Sequence, residues 1–209
     1  MHIAEGILSA PVLAAGAVSA AAGVGYGVWK MDDEHIPRVA VLASGFFVAS
    51  FIHVPIGPTS AHLVLNGLTG LILGWAAFPA LLMGLVLQAV LFGFGGLTTL
   101  GVNVACMGIP AVLCYQLFNR GARNGSPTIA ALSGFAAGAL AIAFTGALVG
   151  VTLVSAGRSF LPVVYALIIA HLPVMVIEGL LTASVVTFLK KVRPELLEAA
   201  PTVQLSGGE

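Results

Sequence analysis

Apolar residues along this chain form long unbroken stretches, separated by short groups of glycine, proline or charged residues. No Asp, Glu, Lys or Arg occurs between Arg38 and Arg120, between Arg123 and Arg158, or between Arg158 and Glu178. A helix needs about 20 apolar residues to cross a bilayer. The pattern therefore predicts membrane-spanning helices joined by short turns.

The glycine, proline and charged positions divide the chain into about seven predicted spans. They lie at roughly 11–29, 38–54, 61–75, 77–93, 98–118, 127–152 and 161–189. This pattern indicates an all-α, polytopic bundle of about seven transmembrane helices. Residues 1–192 would form one transmembrane domain, and the more polar residues 193–209 would form a cytoplasmic tail.

The composition supports this interpretation and excludes other classes of protein. The 209 residues are 59% hydrophobic and only 8% charged, whereas an ordinary soluble domain carries about 25% charged residues. So few charges would not cover the surface of a soluble enzyme, and they form no basic stripe for nucleic acid. A polytopic helical membrane protein, in contact with lipid and not with nucleic acid, remains.

The distribution of Lys and Arg predicts the orientation of the bundle. With seven spans, Arg158 alone lies on the same side as the amino terminus. The other side carries seven basic residues: Lys30, Arg38, Arg120, Arg123, Lys190, Lys191 and Arg193. Cytoplasmic loops are enriched in basic residues. We therefore expect the amino terminus outside and the carboxyl terminus in the cytoplasm.

The first residues could be mistaken for a signal peptide, since residues 19–22 (SAAA) resemble a cleavage site. The first ten residues contain Glu5 and no Lys or Arg, however, so the positive n-region of a signal peptide is missing. We expect the amino-terminal segment to be retained.

Three of the five histidines gather at the predicted outer face. They are His2, His53 and His62, and the glycine-rich loop at 93–99, followed by Asn103, lies on the same side. Polar groups within a membrane protein need partners and commonly mark functional sites. The outer face is therefore the candidate site.

A histidine at the second position makes a chelator if the amino terminus is free. The Met1 amine, the His2 amide nitrogen and His2 Nδ1 can hold one metal ion in two fused rings, and one further imidazole can complete a planar set of four nitrogens. This geometry suits late divalent ions such as Ni²⁺ and Cu²⁺. The ligands must be deprotonated, so binding should weaken in acid.

Four segments carry a resemblance to a known family. They are residues 1–6 (MHIAEG), 55–63 (PIGPTSAHL), 94–103 (FGGLTTLGVN) and 177–182 (IEGLLT). With these segments in this order, nearly the whole chain resembles the substrate-binding component of the cobalt/nickel energy-coupling factor (ECF) transporters, the CbiM/NikM family.

The resemblance implies a fold and a ligand set. Residues 1–10 would fold into an outer cavity of the bundle, making residues 1–192 a transmembrane metal-binding domain. The transported metal would be held by Met1, His2 and His62, with Asn103 positioning the segment or the loop. The ion would be Co²⁺, with Ni²⁺ as the alternative, bound as transported substrate with no catalytic cofactor.

The resemblance also implies partners. The chain has no Walker motif, so it is expected not to be an enzyme, and ATP would be hydrolysed by a pair of ABC-type ATPase subunits. A transmembrane coupling subunit would join them, and a small auxiliary membrane subunit remains an open possibility. Cobalt imported in this way would supply cobalamin biosynthesis.

Other polar residues receive supporting roles. We expect Glu5 to hold the amino-terminal segment and His53 to lie beside the metal ligands rather than among them. His171 and Glu178 lie seven residues apart on one face of the last span, where structural or coupling roles are expected. The acidic run at 32–35 (DDEH) is interpreted as a solvated cytoplasmic loop.

Two other classes of protein stay open. An intramembrane enzyme would use His53, His62, His171 and Glu178, although the chain contains neither an HExxH motif nor an evident nucleophile–base pair. A secondary transporter would use a proton relay between His171 and Glu178. Such a transporter would need polar groups at mid-membrane on several helices.

Overall fold

The computed structural model describes residues 2–56 and 59–197. Helices α1 to α7 make up most of this part of the chain, and strands β1 (His53–Ile56) and β2 (Thr59–His62) lie between α2 and α3. The helices are Ala10–Trp29, His35–Ala49, Asn66–Leu73, Ala77–Phe92, Leu100–Asn124, Pro127–Ala156 and Leu161–Val192. Short 3₁₀ turns occupy Gly74–Ala76, Arg158–Phe160 and Pro194–Leu197.

The helices have the length and composition of membrane spans. In the described residues, five helical segments are long and apolar enough to cross a bilayer: Ala10–Trp29, Asn66–Phe92, Leu100–Asn124, Pro127–Ala156 and Arg158–Val192. Helix α2 is apolar but has only 15 residues. The prediction of a mostly helical, polytopic membrane protein is confirmed.

Large apolar side chains on the outside of the bundle support the same conclusion. Val18, Val41 and Val151 are each 70% exposed, and Ile169 is 66% exposed. A soluble protein rarely leaves so many apolar side chains in water, whereas lipid solvates them.

A β-hairpin replaces helix between α2 and α3, so the prediction of an all-α fold is wrong for this segment. Strands β1 and β2 pair antiparallel, with His53 opposite His62. The predicted second span (38–54) ends at Ala49, and the predicted third (61–75) begins at Asn66. Proline lacks an N–H and disfavours helix in the residue before it, so the prolines at 55 and 58 favour extended chain in the middle of this segment. The end of α2 at Ala49 has no such local cause.

Helices α3 and α4 form a reversal of the chain rather than one straight rod. A straight helix over the 27 residues of Asn66–Phe92 would be about 40 Å long. His62, just before α3, and Phe94, just after α4, nevertheless both contact His2. The chain therefore runs away from His2 along α3, turns at Gly74–Ala76 and returns along α4.

The carboxyl-terminal end of the described chain packs against the bundle. Lys190 donates to the carbonyls of Ala122 (3.2 Å) and Arg123 (2.5 Å), placing a cation at the carboxyl end of α5. Leu197 is 3% exposed and belongs to an apolar cluster that includes Ala122 and Val186. The predicted boundary at 193 stays a prediction, because residues 198–209 lie outside the described part.

The acidic run after α1 is only partly solvated. Asp33 and Glu34 are exposed, as expected, but His35 begins α2 and is buried. Its Nδ1 pairs with the Asp32 carboxylate. The His35 ring is therefore not part of a solvated loop.

Candidate metal centre

The amino-terminal segment enters the bundle before α1 begins. His2 is 6% exposed and Ile3 is completely buried, where Ile3 forms part of the main apolar core. Burial of Ile3 anchors the segment and brings His2 beside the hairpin. The predicted ligand Met1 lies outside the described residues.

His2 and His62 face each other in the interior. Their ring centroids are 4.7 Å apart, and His62 is 2% exposed. Phe94 stacks on His2 at 5.8 Å, and Phe46 lies 6.5 Å from His62. The structure thus brings these two predicted ligands together between aromatic walls that restrict water.

One ring nitrogen of each histidine has no partner. His62 Nδ1 lies 2.7 Å from the Leu63 carbonyl oxygen, and because a carbonyl only accepts, this nitrogen carries the proton. His62 Nε2 is then the lone-pair nitrogen, and it is buried without a hydrogen-bond partner, as is His2 Nδ1. Buried nitrogens are rarely left unpaired. A hydrogen bond from the other ring nitrogen, as His62 makes to Leu63, is typical of metal-binding histidines.

Burial keeps both imidazoles neutral. Loss of solvation lowers the pKa of His2, with a further lowering from nearby His53. Loss of solvation likewise lowers the pKa of His62, with a smaller contribution from His171. Neutral imidazole is the form that binds metals, so both rings are in the ligand form at neutral pH.

Asn103 fixes the amino-terminal segment from the start of α5. Its Oδ1 accepts from the Ile3 N–H at 2.8 Å, and its Nδ2 donates to the Ile3 carbonyl at 3.2 Å. A third bond of 3.3 Å joins Nδ2 to Thr99 Oγ1. Asn103 thus holds the segment at Ile3, while its role at a metal site stays a prediction.

Glu5 makes a second attachment to the same loop. Its Oε1 accepts from the backbone N–H of Thr98 at 2.9 Å and from the Thr98 hydroxyl at 3.2 Å. The backbone bond from Thr98 lowers the pKa of Glu5. Glu5 therefore ties the segment to the loop between α4 and α5.

Two glycines allow this loop to approach the segment. A Cβ on Gly95 would lie 3.0 Å from Asn103 Nδ2 and 3.3 Å from His2 Cβ. A Cβ on Gly96 would overlap the Glu5 side chain, and Gly96 also has φ +130°, which L-residues rarely adopt. The close approach depends on the absence of side chains at both positions.

His53 lies at the rim of the centre. It is exposed, its ring is 4.8 Å from Phe94, and its Nδ1 donates to the Phe51 carbonyl at 3.2 Å. It lies opposite His62 in the hairpin. Its exposure favours a peripheral role.

His171 and Glu178 are buried in α7 but not joined to each other. His171 Nδ1 donates to the Leu167 carbonyl, and Glu178 Oε1 accepts from the N–H groups of Val64 and Leu65. Among the described residues, no hydrogen bond links His171 to Glu178. The geometry therefore does not provide the direct relay that a secondary transporter would use.

Sequence reasoning missed three contacts of the centre. They are the anchoring by Ile3, the stacking of Phe94 on His2, and the Glu178 bonds to Val64 and Leu65. Phe94 adjoins the glycine pair, and an aromatic residue beside such a loop was the available signal. The Glu178 contact spans more than 110 residues and has no local signal.

The long apolar helices and the two facing imidazoles define a membrane protein with a candidate metal centre. The chain belongs to the CbiM family, described as the cobalt uptake substrate-specific transmembrane region, whose sequence profile matches residues 2–196.

Several relatives are named for metal transport. A Haemophilus influenzae protein named for metal transport is 42% identical over 94% of this chain and 97% of its own length. The fused nickel transport protein NikMN of Rhodobacter capsulatus is 34% identical over 94% of this chain and 64% of its own length. The cobalt transport protein CbiM of Sorangium cellulosum is 31% identical over 100% and 99% of the two chains.

Solved structures share the fold. A crystal structure of a truncated transition metal transporter matches with a TM-score of 0.75 and 25% identity, over 91% of this chain and 99% of the other. A second structure of a transition metal transporter matches with a TM-score of 0.73 and 26% identity, over 92% and 93% of the two chains. The family and its structural neighbours are transport proteins.

Proposed function

We propose that this chain is the substrate-binding component of an ATP-driven ECF importer that captures Co²⁺, or alternatively Ni²⁺, from outside the cell. The cation is the transported substrate, and the chain itself catalyses no reaction. The observation that carries the proposal is the pair of unpartnered nitrogens, His2 Nδ1 and His62 Nε2, on rings 4.7 Å apart.

The remaining donors would come from the backbone. In the described residues, no cluster of three or more His, Cys, Asp or Glu side chains lies where it would hold a metal ion. A free amine on Met1 and the His2 amide nitrogen would add two donors to the two imidazoles. A planar set of four nitrogens favours Ni²⁺ over Co²⁺, so the choice of Co²⁺ rests on the family, which is described by cobalt uptake.

The proposed orientation places this centre outside. The contacts of His2 with His62 and Phe94 lie at one end of the bundle. The carboxyl ends of α1, α5 and α7, at the opposite end, carry Lys30, Arg123 and Lys190. The reversal at Gly74–Ala76 supports seven passages, because it returns the chain to the side of His2. With the basic residues cytoplasmic, the amino terminus lies outside and the carboxyl terminus inside.

Delivery of the ion requires partners. We propose a transmembrane coupling subunit and a pair of ABC-type ATPase subunits in the bacterial cytoplasmic membrane, and we leave open whether a small auxiliary membrane subunit is required. The cobalt would enter cobalamin biosynthesis. Support comes from the family and from relatives named for cobalt and nickel transport.

The test measures metal bound by the purified full-length protein in lipid nanodiscs, titrated separately with Co²⁺ and Ni²⁺. We expect one ion per chain, and we expect His62→Ala to lose it because Nε2 is removed. His53→Ala is the matched control, since it removes an exposed imidazole from the facing strand and should leave binding intact.

The two variants also define the contrary result. If His62→Ala binds the ion as well as His53→Ala does, the centre is not between His2 and His62.

A separate competition between Co²⁺ and Ni²⁺ at equal concentration, on the wild-type protein, identifies the preferred ion. Preference for Ni²⁺ selects the nickel alternative.

A further inference from the structure

Glu178, in the middle of α7, contacts the chain directly after the proposed ligand His62. Its Oε1 accepts from the backbone N–H of Val64 at 2.5 Å and of Leu65 at 2.8 Å. Glu178 and Val64 are both completely buried. Because His62 lies only two residues before Val64, this carboxyl group holds the main chain that carries the ligand.

The same contact fixes a strained turn. Leu65 has φ 54°, and in the described part of the chain it is the one residue other than glycine with a positive φ. Such a conformation persists only where the surroundings enforce it. Leu65 precedes α3, and its carbonyl accepts from the Thr69 N–H and hydroxyl. Glu178 thus stabilises the turn between β2 and α3.

Helix α6 fixes the position of Glu178 relative to this turn. A Cβ on Gly138 would lie 2.5 Å from the Glu178 carbonyl oxygen, and a Cβ on Gly67 would lie 2.5 Å from the Ala137 carbonyl oxygen. Helices α3 and α7 therefore both contact α6 at backbone distance near residues 137–138. Because α6 holds α3 at this distance, a shift of α7 along α6 moves the Glu178 carboxyl group away from Val64 and Leu65, which precede α3.

We infer that Glu178 is a positioning residue that couples α7 to the metal ligand His62. Its carboxyl oxygen keeps the main chain after His62 in the turn that holds the His62 ring beside His2. A displacement of α7 during transport withdraws this support and opens the centre, which releases the ion. The inference rests on the proposed metal site and identifies α7 as the element that regulates this site.

The experiment compares three variants of the full chain in nanodiscs, titrated with Co²⁺ alone. Glu178→Met has a similar length and no strong acceptor, whereas Glu178→Gln retains an oxygen that can accept both N–H groups. Thr182→Val, one turn further along α7 and also completely buried, is the matched control. The visible absorption of bound Co²⁺ reports its ligands, and thermal melting reports the fold.

We expect Glu178→Met to weaken Co²⁺ binding by about 10- to 100-fold, the range for removing groups that orient a metal ligand, and to alter the Co²⁺ spectrum. Glu178→Gln and Thr182→Val should keep the wild-type affinity and spectrum. The inference is overturned if Glu178→Met binds like Thr182→Val, or if Glu178→Gln weakens binding as much as Glu178→Met.

A measurement on the wild-type protein covers the case in which Glu178→Met does not fold. Amide hydrogen exchange at Val64 and Leu65 should be strongly slowed by the two bonds to Glu178, and exchange at the rate of an open chain would overturn the inference. Failure of the proposed function gives a different result, because the wild-type protein itself would then bind neither Co²⁺ nor Ni²⁺.

Discussion

Asn103 binds both peptide groups of Ile3, accepting from its N–H at 2.8 Å and donating to its carbonyl at 3.2 Å. The Asn side chain therefore acts towards the amino-terminal segment as a neighbouring β-strand would. This pair of bonds fixes the main chain at the residue after His2. Asn103 Oδ1 accepts from the N–H of Ile3 and not from the N–H of His2. The His2 amide nitrogen therefore stays available for the proposed chelate.

The first prediction concerns the two functions of the Asn103 amide. Asn103→Asp keeps an acceptor for the Ile3 N–H but loses the donor to its carbonyl, so the segment should be held less firmly. We expect the Kd for Co²⁺ to rise by about 10- to 100-fold, measured by calorimetric titration. Thr99→Val, which removes only the 3.3 Å partner of Nδ2, should change the Kd much less. Equal effects of the two variants would contradict the assigned role.

The second prediction concerns the amine proposed as a ligand. One Gly inserted before Met1 converts that amine into an amide and moves the free amine one residue away, so the fused rings cannot form. Bound Co²⁺ and Ni²⁺, measured by elemental analysis, should be lost. The melting temperature of the metal-free protein should be unchanged, because Ile3 still enters the core. Full binding by the extended protein would exclude the chelate while leaving the imidazole pair possible.

The sequence predicted the parts of this centre that have local signals. His2, His62 and Asn103 lie in segments that resemble the family, and the distribution of Lys and Arg placed them at one end of the bundle. The chelate itself stays a prediction, because Met1 lies outside the described residues. Long unbroken apolar stretches also predicted most helices, because lipid imposes the same length and composition on each span.

The parts that sequence did not predict depend on contacts distant in the chain. At 53–62 the sequence predicts a loop between two spans, and no local pattern indicates that His53 and His62 pair across a hairpin. The break between α3 and α4, by contrast, was predicted near residue 76, between the spans 61–75 and 77–93, and it lies at Gly74–Ala76. The burial of Glu178 against Val64 joins residues 114 positions apart, which no local pattern encodes.

The third prediction tests the close approach of the loop. Gly96→Ala places a Cβ inside the Glu5 side chain and strains a positive φ, so we expect the Kd for Co²⁺ to rise about tenfold, or about 1.4 kcal/mol. Gly93→Ala is the matched control, because Gly93 also has a positive φ (+66°) but open space around it. It should cost stability without changing the Kd.

A double variant separates the overlap from the backbone strain. Glu5→Ala removes the side chain that the new Cβ would meet, so Glu5→Ala combined with Gly96→Ala should lose less affinity than the sum of the two single changes. Additive losses would show that overlap with Glu5 is not the cause.

The fourth prediction is the dependence of segment docking on pH in the metal-free protein. Burial lowers the pKa of His2 below its ordinary value of 6.5, so the undocked segment binds more protons. Docking should be complete above pH 6.5 and should be lost progressively as the pH falls below it. A nitroxide attached at Ala4→Cys, a half-buried position, should become more mobile on acidification in electron paramagnetic resonance spectra.

Glu5→Gln provides the control for this pH dependence. The bond from Thr98 lowers the pKa of Glu5 below 4.5, so the docking that its carboxylate contributes is present above pH 4.5 and is lost only at more acidic pH. The nitroxide-labelled Glu5→Gln protein should therefore still undock as the pH falls below 6.5. His2→Phe, which keeps an aromatic ring and removes the titrating nitrogen, should shift the transition to lower pH. An unchanged transition in His2→Phe would assign it to another group, such as the facing His62.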